Sequence, residues 1–179
     1  MKAVTALFLG LALLTTPVAA PAQDREAVLV TSSGQALDAF TIKTLLARAG
    51  TPNDYDAHAE VDELAGRTAV VIAMGASIKG FGAAGVTAET ELARGQELVD
   101  KARAEGVKVI GAHIGGADRR GGLSEQFVEL IAPQSDALVV VAWGNEDGYF
   151  TKVAEENGIP LVVVDKLPEV AGAIAGLLP

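Results

Sequence analysis

TAVVIAM, residues 68–74, is a run of seven residues without a charge or a break. It lies between Gly66-Arg67 and Gly75. Such a run reads as a β-strand buried on both faces, because a strand with one wet face would alternate polar and apolar side chains. Working outward, four more segments carry the same signature: AVLVT (27–31), VKVIGA (107–112), DALVVVA (136–142) and PLVVVD (160–165). Helical patterns separate them. One spans 35–49 and closes at Gly50. The clearest spans 87–105, with Thr87 as N-cap, Glu89 and Glu91 in its first turn, and Gly106 after its end. Ala88, Leu92, Gly95, Val99 and Ala102 form its apolar stripe at spacings of three and four. Helices at 123–132 (stopped by Pro133), 149–157 (before Gly158) and 167–178 (Pro168 in its first turn) complete the set. Residues 51–66 read either as a short edge strand in YDAHAEV or as a helical turn in VDELAG. Strands joined by helical crossovers run parallel, and strands without a wet face need helices above and below. The expected fold is a three-layer, doubly wound α/β domain. Its mostly parallel sheet has five to six strands in a flavodoxin-like or Rossmann-like arrangement, and five core strands favour the flavodoxin-like order.

The first 22 residues read as an export signal: Lys2, an apolar stretch over 3–14, the break at Pro17, and small residues at Ala20-Pro21-Ala22. Cleavage is expected after Ala22, because cleavage after Ala20 would place Pro21 just beyond the scissile bond. The apolar stretch is too short to span a bilayer. With no cysteine in the chain, neither a disulfide nor a lipidated cysteine can form. The expected product is a soluble periplasmic domain without a membrane anchor. Removing residues 1–22 deletes one charge, Lys2, and moves the formal balance from −9 to −10. So acidic a surface repels phosphate backbones, which argues against a nucleic-acid partner.

In an open parallel sheet, ligands bind outside the carboxyl ends of the strands. Four connections leave that edge: TSSGQ (31–35), GASIKGFGAAG (75–85), HIGGADRRGG (113–122) and WGNEDG (143–148). The opposite edge has only terse turns such as AGRT, EGVK and NGIP. This asymmetry is the main functional signal, since long connections in compact domains are often functional. Ser32 and Ser33 offer hydroxyls beside a helix start suited to an anion. GFGAAG (80–85) matches G-x-G-x-x-G. However, five residues separate it from the strand and no ribose-binding acid closes the next strand, so no nucleotide cofactor is expected. Lys79 among bare amides could hold an oxyanion, with Phe81 as an apolar wall. His113 leaves a central strand and could act as acid, base or metal ligand. Asp118, Arg119 and Arg120 follow, and an arginine fork suits carboxylate or phosphate. Trp143, the only tryptophan, could cover an apolar part, and Asn145 and Glu146 could orient a ligand. Asn145 or Asp147 could equally be plain helix caps. His58, in an acidic stretch, reads as surface.

No G-x-S-x-G elbow, P-loop, H-E-x-x-H or cysteine nucleophile is present. A Ser–His–acid set could be drawn only from Ser32 or Ser77 with His113 and Asp147. The stretches GASIKGFGAAG, HIGGADRRGG and NEDGYFTKVAEENGIPL together resemble a family of small exported α/β proteins of bacteria and archaea, a domain of unknown function, over about residues 25–178. That resemblance implies export and the fold, and carries no activity. The leading expectation is an exported small-molecule binder whose anionic ligand sits at the carboxyl edge of the sheet. Lys79, Arg119 and Arg120 would neutralise the ligand, while Ser32, Ser33 and backbone N–H groups would hydrogen-bond it. The alternatives are a hydrolase using His113 as acid–base, and a metal binder using Asp118, Glu146 and Asp147.

Overall fold

The computed structural model describes residues 26–179. The export signal at 1–22 lies outside the described residues. Six strands form one parallel sheet in the order β2-β1-β3-β4-β5-β6: β1 Val28–Ser33, β2 Asp54–Tyr55, β3 Ala69–Met74, β4 Lys108–His113, β5 Ala137–Val141 and β6 Leu161–Val164. This is the doubly wound, flavodoxin-like order with one strand added at the β5 edge. The expected edge strand is the two-residue β2, and VDEL (61–64) is a 3₁₀ turn.

The buried runs alternate across the sheet. Leu29, Val70, Ile72, Val109, Leu138 and Val140 meet α3 (Ala88–Glu105), α4 (Gly122–Ile131) and α5 (Tyr149–Asn157) on one face. Val28, Val30, Val71, Ile110, Val139 and Val141 meet α1 (Asp38–Arg48) and α6 (Val170–Ala175) on the other. Fully burying one such side chain contributes about 1.5–3 kcal/mol. The caps of α3 are as expected. The Thr87 hydroxyl accepts from the Thr90 amide, and Gly106 is left-handed with φ 70°.

Three local expectations need correction. Residues 75–85 are not a loop, because Ile78–Ala84 form a short helix, α2, capped by Ser77. β1 continues through Ser32 and Ser33, so those hydroxyls belong to a buried strand. Helix α1 then begins at Asp38 rather than at residue 35, and Gln35 sits at φ 60°, the one non-glycine residue with a positive φ among the described residues.

The register brings the strand ends to one level: Ser33 pairs with Met74, Ala73 with Ala112, and His113 with Val140. Strand order reverses between β1 and β3, where this fold ordinarily opens a ligand crevice. Here the crevice is closed. Gln35 and Ala76 form an antiparallel bridge, and the Ser77 amide donates to the Gly34 carbonyl at 2.8 Å. A β-carbon on Gly34 would lie 2.2 Å from the Gly75 carbonyl oxygen, at a φ of 103° that only glycine adopts readily.

Beneath this seal lies a buried charge network. Glu91, fully buried on α3, accepts hydrogen bonds from the Gly34 amide at 3.1 Å, from Gln35 Nε2 at 3.0 Å and from Arg94 Nε at 2.9 Å. Arg94 also donates to the carbonyls of Ala59 (2.7 Å) and Ser32. Glu91 and Arg94 stand on consecutive turns of one helix face and tie α3 to the ends of β1 and to segment 57–59. His58 belongs to this network, which corrects its reading as a surface residue. Its Nδ1 lies 3.2 Å from Glu91 Oε2, and its Nε2 lies 3.5 Å from Glu60. Burial alone would raise the Glu91 pKa. The hydrogen bonds and charge of Arg94, with Gln35 and the Gly34 amide, outweigh burial and hold it below the ordinary value of 4.5.

Two expectations follow for stability. Gly34→Ala should cost about 2–4 kcal/mol in urea unfolding, through strain at a positive φ and the clash with Gly75; a loss under about 0.5 kcal/mol would show that the seal yields freely. Glu91→Gln leaves Arg94 buried without its counter-charge and should cost about 3–5 kcal/mol at neutral pH. Because the Glu91 pKa is lowered on folding, its contribution is complete above the ordinary carboxylate value and fades as pH falls below 4.5. Urea midpoints of parent and Glu91→Gln should therefore converge with acidification, and a gap that stays constant down to pH 3 would exclude this origin.

Candidate functional site

With the β1/β3 crevice sealed, the connections after β4 and β5 hold the polar groups of the carboxyl edge. They meet directly. A β-carbon on Gly144 would lie 2.4 Å from the Gly115 carbonyl oxygen and 2.9 Å from His113 Cδ2. Among the described residues, four of the five exposed large apolar side chains also stand at this edge: Leu37, Phe40, Ile78 and Trp143.

His113 ends β4 and is buried. Its Nδ1 is 3.2 Å from the Met74 carbonyl oxygen. A carbonyl only accepts, so Nδ1 carries the proton and Nε2 the lone pair. The ring stacks on Phe150 at 5.3 Å, and Nε2 has no hydrogen-bond partner among the described residues. Burial pushes its pKa down and the Arg120 charge adds to this, against the Met74 and Gly116 backbone and Asp38. The neutral imidazole is walled by Phe150 and by Gly144. Among the described residues no serine hydroxyl hydrogen-bonds to His113, and Ser77 Oγ caps α2. Ser33 faces α3, where its Oγ would lie 2.7 Å from a β-carbon on Gly95, and neither Ser32 nor Ser33 opens to a ligand.

Arg119 and Arg120 are adjacent in sequence and differ in place. The Arg120 side chain is 9% exposed. Its guanidinium lies 4.2 Å over the Tyr149 ring and 5.3 Å from Phe150. It donates twice to Asp147 (2.8 and 2.7 Å) and once to Glu125 at 2.7 Å. These carboxylates hold the Arg120 charge even against burial, and both their own pKa values are lowered against their desolvation. Asp147 also accepts from the Tyr149 amide at the start of α5, and Glu125 accepts from the Gly121 amide. Arg120 therefore staples two loops and two helix starts, and the expectation that it neutralises a ligand is corrected. A hollow of about 310 Å³ beside it is lined by Ala117, Arg120, Gly121, Glu125 and Asp147.

Arg119 is 48% exposed. Its NH2 donates to Asp38 at 3.1 Å, which anchors it to the start of α1. Its stem lies on Gly115, where a β-carbon would come within 2.7 Å of Arg119 Cβ. Trp143, 38% exposed, flanks Gly116 on the 3₁₀ turn after β5. Asn145 is a helix cap, since its Oδ1 accepts from the Phe150 amide at 2.9 Å. Glu146 is exposed on the same connection. Lys79 is exposed on α2, and Phe81 is buried against Phe127 at 5.9 Å. Asp118, Glu146 and Asp147 are not gathered into one cluster. Among the described residues no three His, Asp or Glu side chains are placed to hold an ion. The sequence reading missed Asp38, Glu91 and Arg94. The last two lie on the buried stripe of α3 with Gly95, Leu98 and Ala102, which is the signal that could have found them.

No helix among the described residues is long and apolar enough to cross a membrane. No curated protein matches the chain. A family model for a domain of unknown function, DUF6305, matches residues 25–178. That match takes in every strand and helix described above, and by it the chain belongs to the DUF6305 family.

Proposed function

We propose that this is an exported, periplasmic binding protein for a small ligand with an anionic group, held at the β4/β5 end of the carboxyl edge. The observation that carries the reading is Arg119: half-exposed, laid along Gly115 and fixed through one N–H to the mostly buried Asp38. A guanidinium so anchored loses little freedom when it takes an anion, and the rest of its fork suits a carboxylate. Trp143 supplies an exposed ring against the neighbouring Gly116 for the apolar part of the ligand. Export rests on the leader read in residues 1–22. The negative charge of the whole chain favours a local anchor of this kind over a broad basic surface.

The sheet and both core clusters lie within residues 26–179, so a chain beginning at Gln23 retains them. As the only tryptophan, Trp143 reports on the site without a label. Titrating that chain with acetate, benzoate, phenylacetate and inorganic phosphate should move its emission and raise its melting temperature for at least one carboxylate. Arg119→Ala should weaken that binding about tenfold or more, whereas Arg120→Ala should lower stability first. Silence of Trp143 toward every anion, or full affinity in Arg119→Ala, would overturn the reading.

A further inference from the structure

We infer that His113 is an acid-operated latch: on taking a second ring proton it lets the connections after β4 and β5 lift together from the sheet end, while the sheet stays folded. For the binding reading above, on which this consequence rests, lifting is the step that releases the ligand. The ring is 1% exposed and has a place for one proton. Nδ1–H donates to the Met74 carbonyl at 3.2 Å, and Nε2 is buried with no partner among the described residues. A bare lone pair at Nε2 is tolerable. An N–H there is a buried donor without an acceptor, on a ring that now holds a charge away from water.

Every side of the ring is accounted for. β3 presents the Met74 carbonyl, and α5 presents the Phe150 ring at 5.3 Å with Tyr149 edge-on to it. The turn after β5 presents Gly144. The connection after β4 brings the Gly116 backbone and the Arg120 charge, and α1 brings the Asp38 carboxylate. Burial drives the imidazole below its ordinary 6.5 and Arg120 adds to this, against Met74, Asp38 and Gly116. The closed form is therefore fully favoured above pH 6.5 and loses ground as pH falls below it. Two sides belong to the core, since Met74 and Phe150 are fully buried in it. The thin cover is Gly144 and Gly115. A β-carbon on Gly144 would lie 3.4 Å from Nε2 and 2.4 Å from the Gly115 carbonyl oxygen, and the chain beyond is exposed at Ala117, Trp143 and Glu146. Lifting that cover hydrates Nε2 with less disruption than opening the sheet. Glu125 and Asp147 keep their charge below their ordinary 4.5 and 3.8. Arg120 thus still ties the two connections together when His113 is protonated, and they move as one.

The test is amide hydrogen exchange on the chain from Gln23, from about pH 7.5 to about pH 5. The Arg119, Asn145 and Gly148 amides, bonded at 2.9, 3.0 and 2.9 Å within the two connections, report on the latch. Their protection, corrected for intrinsic exchange, should fall by up to about tenfold per pH unit below 6.5, the slope of one proton taken up on opening. Trp143 emission should shift to the red in step. The Lys108 and Asp136 amides, bonded at 3.0 and 2.8 Å at the opposite edge, should keep their protection. His113→Asn keeps a donor for Met74 and cannot be charged, so its slope should vanish. Long-range nitrogen–proton spectra of the parent, which need no variant, should show His113 as the neutral Nδ1–H form at neutral pH. A flat parent profile, the same slope in His113→Asn, equal loss at Lys108 and Asp136, or a charged ring at neutral pH would overturn the latch and leave anion binding at Arg119 standing. The carboxylate held most tightly at neutral pH should lose affinity along the same slope. Affinity that stays constant along it would separate the latch from release, and a latch slope with no carboxylate bound at any pH would sink the anion reading alone.

Discussion

The buried pairing of Glu91 with Arg94 is the interaction on which the rest of the architecture depends. A carboxylate withdrawn completely from water is unfavourable unless its lone pairs are filled. Here Arg94, Gln35 and the Gly34 amide fill them, and Arg94 in turn satisfies carbonyls from β1 and from segment 57–59. The pair therefore connects three separate stretches of chain, residues 32–35, 57–59 and 91–94, at the place where strand order reverses. An internal carboxylate takes the amide that a bound anion would otherwise claim there. The place where this fold ordinarily takes an anion is thereby filled from within.

Those connections are built on the same economy of space. His113, neutral and stacked on Phe150, gives them a floor. Arg120, held by Glu125 and Asp147 over two aromatic rings, fixes their outer wall. Close approaches at Gly115, Gly116 and Gly144 let backbone, indole and arginine stem lie in direct contact. Of the charged side chains there, Asp118, Arg119 and Glu146 are exposed and stand outside the Arg120 staple.

The strands were legible because parallel, doubly covered β-structure needs continuous Val, Ile and Ala, and 68–74 and 136–142 spell that out. The boundaries of α3 were legible because Thr87 and Gly106 have the chemistry of caps. Helix α2 was hidden because Gly80 and Gly82 are poor helix formers. Gly80 is there for packing, since its β-carbon would strike the Gln35 carbonyl at 2.4 Å. Glu91 reads in one dimension as an ordinary acid in a helix first turn, and only the partner from residue 34 shows that it faces inward. Arg119 and Arg120 cannot be told apart from the letters. Which one enters the protein depends on where α5 and β5 bring Tyr149, Phe150 and Asp147.

The plug between β1 and β3 also separates two kinds of inheritance. Residues that keep the molecule folded at that end, Gly34, Gln35, Glu91 and Arg94, are not those that face the outside at 116–119 and 143. Changes in the outward group would leave that keystone untouched. A scaffold so partitioned can vary its exposed edge while its shape stays put.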